Sequence, residues 1–138
     1  MNVLFFLTHK ANCNYIFDDF TIRQTLEKME QCRYSSIPML SRAGEYVGSI
    51  SEGDLLWAIK NKYMMNMRDA EESPILEVPR RKDYSPASVT ATPRELLNLA
   101  KEQNFVPIVD DKDSFIGIVT RQKVMEFCTV HYLEERTE

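Results

Sequence analysis

Two short patterns in the sequence combine a hydroxyl side chain with a charged side chain three positions later. The first is Ser51-x-x-Asp54, and the second is Thr120-x-x-Lys123. A hydroxyl and a carboxylate at this spacing can accept hydrogen bonds from the hydroxyl groups of a ribose, whereas an ammonium group accepts none. The same spacing fits a capping box, in which both side chains satisfy backbone N–H groups at the start of a helix. Both interpretations of Ser51 and Asp54 are open at this point.

The composition limits the classes of function. The chain has 138 residues, of which 43% are hydrophobic and 28% are charged, and its formal net charge is −4. These values indicate a globular protein of one domain or two small units, and the negative charge disfavours nonspecific binding to nucleic acid. The apolar opening run, residues 1–7, lacks the basic segment with which a signal peptide begins, so it predicts a strand instead. We expect a cytoplasmic protein without a membrane segment, with its three cysteines reduced.

The chain contains an internal duplication. Ile37-Pro38-Met39 aligns with Val106-Pro107-Ile108, and the alignment runs without a gap through Gly48 and Gly117 to the two polar patterns. A repeat of this length indicates two copies of one structural unit. The main difference between the two copies is the charge at one position, where Asp54 of the first copy is replaced by Lys123 in the second.

Each copy predicts the same order of elements. Threonine caps at Thr21 and Thr92 begin a helix, two short β runs follow, and a second helix starts near Asp54 or Lys123. With a short leading strand, the unit is β-α-β-β-α. The predicted division is a first unit at residues 1–66 that includes an N-terminal strand, a connector at 67–85 and a second unit at 86–138.

The duplicated apolar-Pro-apolar and Gly-x-x-Ser/Thr motifs resemble those of paired CBS domains, the arrangement called a Bateman module. The resemblance covers nearly the whole chain and implies an α/β fold of two pseudo-symmetric units packed through their sheets. It also implies binding of an adenosine-containing ligand in a cleft between the units, with ribose at Ser51 and Asp54. The first copy matches both ribose-binding positions, so the resemblance favours ribose binding over capping alone.

The resemblance and the charge pattern together define a set of candidate ligand-binding residues. Lys123 indicates either a second site that has lost nucleotide binding or a contact to an anion, and the basic run at residues 80–82 predicts either a phosphate contact or a solvated segment. The candidates are Ile37, Pro38, Met39, Gly48, Ser51, Asp54, Arg80, Arg81, Val106, Pro107, Thr120, Arg121 and Lys123.

The sequence favours a regulatory module without catalytic residues, metal or bound cofactor, because neither His9 nor His131 has a partner at metal-ligand spacing. The expected ligand is AMP, ADP, ATP, S-adenosylmethionine or a cyclic dinucleotide, and the expected partners are a second copy of the chain and an unknown protein. The surplus of apolar residues around Trp57 supports the homodimer. Two alternatives remain: an interaction module with vestigial clefts, and a small enzyme that acts on a nucleotide.

Overall fold

In the computed structural model, which describes residues 2–137, the two predicted threonine caps begin helices. Helix α1 spans Ile22–Cys32 after Thr21, and helix α4 spans Pro93–Ala100 after Thr92. Each threonine Oγ1 accepts the backbone N–H three residues on, while the side-chain oxygen at that position accepts the threonine N–H. These capping boxes satisfy N–H groups that the first turn of a helix leaves without partners.

The first unit comprises Asn14–Asp83. Its three-stranded sheet has the order β2-β3-β4, where β2 is Ile16–Phe17, β3 is Ser36–Leu40 and β4 is Tyr46–Ser51. Strands β3 and β4 form an antiparallel hairpin, and helix α2 (Glu52–Trp57) follows β4 directly. A π-helical turn at Ala58–Lys62, helix α3 (Met67–Glu72) and a 3-10 turn at Ile75–Glu77 complete the unit.

The second unit comprises the residues up to Cys13 and those from Tyr84 onward. Its four-stranded sheet has the order β1-β7-β6-β5. The strands are β1 (Thr8–His9), β5 (Ala87–Ser88), β6 (Phe105–Val109) and β7 (Phe115–Thr120). Helix α5 (Arg121–Thr137) follows β7 directly. The order β5-α4-β6-β7-α5 repeats the order β2-α1-β3-β4-α2 of the first unit, which confirms the predicted α/β fold and the duplication.

Each unit has its own core, built from the inward faces of its hairpin and helices. Burial of these aliphatic side chains supplies the main driving force for folding, about 1.5–3 kcal/mol for each large side chain. The fully buried residues of the first core include Ile16, Ile22, Ile37, Met39, Ile50 and Ile75. Those of the second include Val3, Leu96, Val106, Ile108, Val119 and Val124.

The N-terminal segment differs from its prediction in both shape and position. Val3–Phe6 forms a 3-10 helix rather than a strand, with Val3 buried and the Phe6 ring 5.0 Å from that of Phe127. Thr8 and His9 then pair with β7, so this segment groups with the second repeat and not with residues 14–66. The predicted connector, residues 67–85, belongs to the first unit as far as Asp83, and its Ile75 packs in the core of that unit.

A glycine makes the pairing of β1 with β7 possible. Gly117 has a φ of +154°, and a Cβ built on it would lie 2.2 Å from the Thr8 carbonyl oxygen and 3.0 Å from a Leu7 methyl carbon. A side chain at this position would therefore push β1 off the sheet.

We expect Gly117→Ala to lower the free energy of unfolding by about 2–4 kcal/mol, since it combines overpacking with an unfavourable φ. Denaturant unfolding measures the loss. Gly53→Ala is the control, because its Cβ would have nothing nearer than Ser51 Oγ at 3.7 Å and alanine favours the helix. Equal stabilities for the two variants would contradict the close approach of β1 to Gly117.

Candidate ligand-binding site

The polar pattern of the first repeat lies where β4 ends and α2 begins. Ser51 Oγ accepts the Asp54 N–H at 3.0 Å, and Asp54 Oδ2 accepts the Ser51 N–H, also at 3.0 Å. The two side chains therefore form a complete capping box. The capping interpretation of this pair is confirmed, and both side chains are half-buried at the start of the helix.

The segment Arg80–Asp83 lies against this junction, which we call the β4–α2 junction. The Arg81 N–H donates to Asp54 Oδ1 at 3.2 Å, and the Ser49 N–H donates to Asp83 Oδ1 at 3.0 Å. Asp54 thus accepts one hydrogen bond at each carboxylate oxygen, one from the cap and one from the segment. The basic run, for which the sequence left a phosphate contact and a solvated segment open, is held beside Asp54 by the Arg81 N–H.

Gly48 provides the space for this contact. A Cβ built on Gly48 would lie 2.5–2.9 Å from the three carboxylate atoms of Asp83. Glycine has no side chain and so lets another group approach the strand closely. In the structure that group is the side chain of Asp83, which occupies the position that any larger residue at 48 would fill.

Arg80 and Arg81 differ in their surroundings. The Arg80 guanidinium forms two hydrogen bonds to Asp83, at 2.7 Å from Nε to Oδ1 and 3.3 Å from Nη2 to Oδ2. The Arg80 side chain is 21% exposed and that of Asp83 is 37% exposed, so this ion pair is partly shielded from water. Arg81 is exposed and contacts the junction through its backbone. A planar fork such as that of Arg80 suits bidentate binding of carboxylate or phosphate.

The apolar-Pro-apolar candidates have a mainly structural role. Ile37, Met39 and Val106 are fully buried, and Pro38 and Pro107 are buried beside them in β3 and β6. Pro38 lies opposite Ser49 in the hairpin, and Pro107 lies opposite Ile118. The three aliphatic side chains pack in the two cores, so they offer a ligand no accessible side-chain surface.

The second repeat keeps the cap but not the acid. Thr120 Oγ1 accepts the Lys123 N–H at 3.3 Å, while Lys123 Nζ pairs with Glu126 at 3.1 Å. Arg121 Nε donates to the Ala100 carbonyl at 2.8 Å, which ties α5 to the end of α4. The candidate residues Arg121 and Lys123 therefore both have partners within the second unit.

The cysteines and His131 make separate local contacts. All three cysteines are free and half-buried, and desolvation by burial raises the pKa of Cys13 and of Cys128. His131 pairs with Glu135 at 3.1 Å. Over residues 2–137, no group of histidine, cysteine or acidic side chains has the geometry to hold a metal ion. Within that same range no helix is both long enough and apolar enough to span a bilayer.

An apolar groove of about 550 Å³ lies between α1 and α2 in the first unit. It shares none of the thirteen candidate ligand residues, and it includes the exposed Leu56. The lining residues are Leu26, Met29, Glu30, Arg33, Tyr34, Glu52, Leu55, Leu56 and Ile59. The groove therefore shares no candidate ligand residue with the β4–α2 junction, although Glu52 of its lining is the first residue of α2.

Asp83 is the site residue that the sequence analysis missed. It stands three residues after Arg80, a spacing at which opposite charges often pair, and that was the only local signal. The contact to Ser49 joins residues 34 positions apart. No local pattern predicts a contact of that range.

Comparison with known families identifies the fold. The profile of the CBS domain family matches residues 9–61 and 77–129. The chain therefore belongs to the CBS domain family and contains two such domains, as the resemblance predicted. No curated protein sequence matches the chain.

Solved structures show the same fold. The CbpB protein of Listeria monocytogenes, in complex with c-di-AMP, has a TM-score of 0.80 at 21% identity, over 96% of this chain and 97% of that one. CBSX2 in complex with AMP has a TM-score of 0.74 at 18% identity, over 95% and 98%. A CBS domain-containing protein of unknown function from Bacillus anthracis has a TM-score of 0.81 at 19% identity, over 94% and 93%.

The contact of Asp83 with Gly48 can be tested by a double-mutant cycle. Gly48→Ala must displace the carboxylate from the Ser49 N–H, so we expect a loss of about 1–3 kcal/mol in the free energy of unfolding. In an Asp83→Ala background the same change should cost at least about 1 kcal/mol less, because nothing is left to displace. Denaturant unfolding of the four proteins measures the coupling, and additive losses would contradict the contact.

Proposed function

We propose that this protein is a regulatory module that binds an adenosine-containing ligand at the β4–α2 junction of its first unit, without turnover. The observation that carries the proposal is the convergence of Ser51, Asp54 and the Arg80–Asp83 segment on one strand-to-helix turn. Structures of the same fold contain AMP or c-di-AMP, which supports an adenosine ligand.

Asp54 has the chemistry to hold a ribose. A carboxylate offers about four lone-pair sites, and Asp54 uses two of them for the Ser51 and Arg81 N–H groups. The remaining sites can accept the two ribose hydroxyls without breaking the cap. Arg80 and Arg81 lie in the segment against this junction, and their positive charge suits a phosphate attached to that ribose.

The second unit is the weaker candidate. Lys123 replaces the acceptor with a donor that already pairs with Glu126, and Arg121 is committed to the Ala100 carbonyl. The exposed Lys123–Glu126 pair contributes little to stability, about 0–1 kcal/mol, so the pair itself does not prevent an anion contact. We propose that nucleotide affinity resides mainly in the first unit and that the second contributes little.

The proposed output of binding is a change in contact with a protein partner, including a second copy of the chain. Leu56 and Trp57 on α2 are 57% and 56% exposed, and Leu56 borders the α1–α2 groove. In the second unit, Met125 and Leu133 of α5 are 52% and 55% exposed. Large apolar side chains clustered on helices are typical of interfaces. These surfaces also support the alternative function, an interaction module that binds no nucleotide.

A thermal-shift screen over AMP, ADP, ATP, S-adenosylmethionine and c-di-AMP tests the proposed ligand class. A ligand at a hundred times its dissociation constant should stabilise the fold by ~2.7 kcal/mol, which raises the melting temperature by on the order of 5–10 °C. Asp54→Ala should remove most of this shift, because a charged acceptor contributes ~1.5–3 kcal/mol to each hydrogen bond. Each variant is compared with its own melting temperature in buffer, which separates binding from loss of the cap.

Two variants serve as controls for Asp54→Ala. Asp69 occupies the same position in α3, three residues after the cap Asn66, so Asp69→Ala should keep the full ligand shift. Lys123→Ala should also keep it if the second unit contributes little. The interaction-module alternative is favoured if no adenine nucleotide raises the melting temperature of the wild type, or if a ligand raises that of Asp54→Ala as much as that of the wild type.

Light scattering tests the proposed homodimer. At micromolar concentration we expect about twice the monomer mass of 16.1 kDa. Trp57→Glu should shift the equilibrium toward monomer, since it places a charge on the exposed apolar face of α2. Leu76→Glu is the matched control, because Leu76 is 51% exposed in the same unit but lies outside that helix. A wild-type mass of 16 kDa at that concentration would exclude the dimer.

A further inference from the structure

We propose that Asp83 determines which charge of ligand the β4–α2 junction accepts. Its carboxylate holds the Arg80 guanidinium and so occupies the place that a ligand phosphate would take on that side chain. The inference rests on the proposed function, since it names the charge selectivity of the same site.

Three observations fix Asp83 in this place. Its Oδ1 accepts the Ser49 N–H at 3.0 Å, its two oxygens bind the Arg80 guanidinium, and its carboxylate fills the space above Gly48. The Arg80 side chain is only 21% exposed, so its charge is directed to a single partner rather than to solvent. Asp83 also lies two residues beyond Arg81, whose N–H donates to Asp54. The carboxylate and the acceptor for ribose are therefore part of one hydrogen-bonded assembly.

A ligand phosphate at this junction faces two charges of opposite sign. It can bind Arg80 only by displacing Asp83 or by sharing the guanidinium with it, and in both cases it lies close to a carboxylate of like charge. Two like charges this close repel each other, and they do so more strongly in a partly shielded site than in water. A neutral ligand such as adenosine meets no such repulsion, and a cationic ligand gains from the carboxylate.

Asp83→Asn isolates the charge. The amide has the same shape, and its oxygen still accepts the Ser49 N–H, but it gives up the ionic contact with Arg80. We expect AMP, ATP and c-di-AMP to bind this variant about tenfold more tightly than the wild type, because the repulsion between their phosphates and the carboxylate is removed. Adenosine should change less than about twofold, and S-adenosylmethionine, which carries net positive charge, should bind more weakly. Calorimetric titration of each ligand gives the affinities.

Asp19→Asn is the matched control. Asp19 forms a bidentate pair with Arg42 at 2.8 and 2.9 Å in the same unit, and the hydrogen bond from Arg42 lowers the pKa of Asp19. The two variants change net charge equally and each removes one arginine–carboxylate pair, but neither Asp19 nor Arg42 contacts the junction. We expect Asp19→Asn to bind every ligand with wild-type affinity.

The outcomes separate this inference from the proposed function. The role of Asp83 is supported if the affinity changes in Asp83→Asn follow the sign of the ligand charge while Asp19→Asn binds every ligand like the wild type. Ligand binding that is unchanged in Asp83→Asn, or changed equally for adenosine and AMP, overturns that role and leaves the nucleotide-binding function in place. If none of these ligands binds the wild type or Asp83→Asn, both proposals are overturned.

Discussion

In each hairpin, one glycine without a side chain allows a segment from outside the hairpin to lie directly on the strand. In the second unit the Thr8 carbonyl lies against Gly117, and the contact becomes a fourth strand. In the first unit the Asp83 carboxylate lies against Gly48, and the approaching segment remains irregular. The two contacts differ because a backbone segment can continue the hydrogen-bonded ladder of the sheet, whereas a carboxylate accepts one backbone N–H and forms no further strand pairing. The carboxylate also attracts a cation. The polar assembly of the first unit depends on this difference.

The sequence predicted the elements whose signals are local. The threonine caps at Thr21 and Thr92, the hairpins and the helices after them depend on residues within a few positions of one another, and the structure contains them all. The prediction for residues 1–7 was wrong, since an apolar run of this length specifies burial but not a strand. Val3 is buried as its apolar character requires, but in a 3-10 turn against the second core.

Contacts of long range explain the rest of the difference between prediction and structure. The pairing of Thr8 with Ile118, and of Asp83 with Ser49, joins positions far apart in the chain. Glycine at 48 and 117 signals that something approaches, but it does not specify which segment does so. The capping and ribose-binding roles predicted for Asp54 do not exclude each other, because a carboxylate with about four acceptor sites can perform both.

The exchange of Asp54 for Lys123 is tolerated because the two helices differ in length. Helix α2 and the π-helical turn that continues it span only residues 52–62, too few for a stable isolated helix, so the Ser51–Asp54 box and the acids in the first turn support it. Helix α5 has 17 residues and no acid in its first turn, and it is anchored in the core by Val124 and Phe127. A lysine near its start costs about 0.3–1 kcal/mol, which a long, packed helix can accommodate.

The shortness of α2 also connects the proposed site to the proposed interface. Asp54 lies in its first turn, and Leu56 and Trp57 follow within the next turn. A ribose bound at the free acceptor sites of Asp54 would leave the cap in place and add a partner to the first turn of this helix. Leu56 and Trp57 lie in the turn that this cap supports, so their exposed side chains would lose freedom when the cap gains that partner. In the proposed function, the ligand would thus affect an apolar surface through one short helix, while the hairpin that supports the helix stays unchanged.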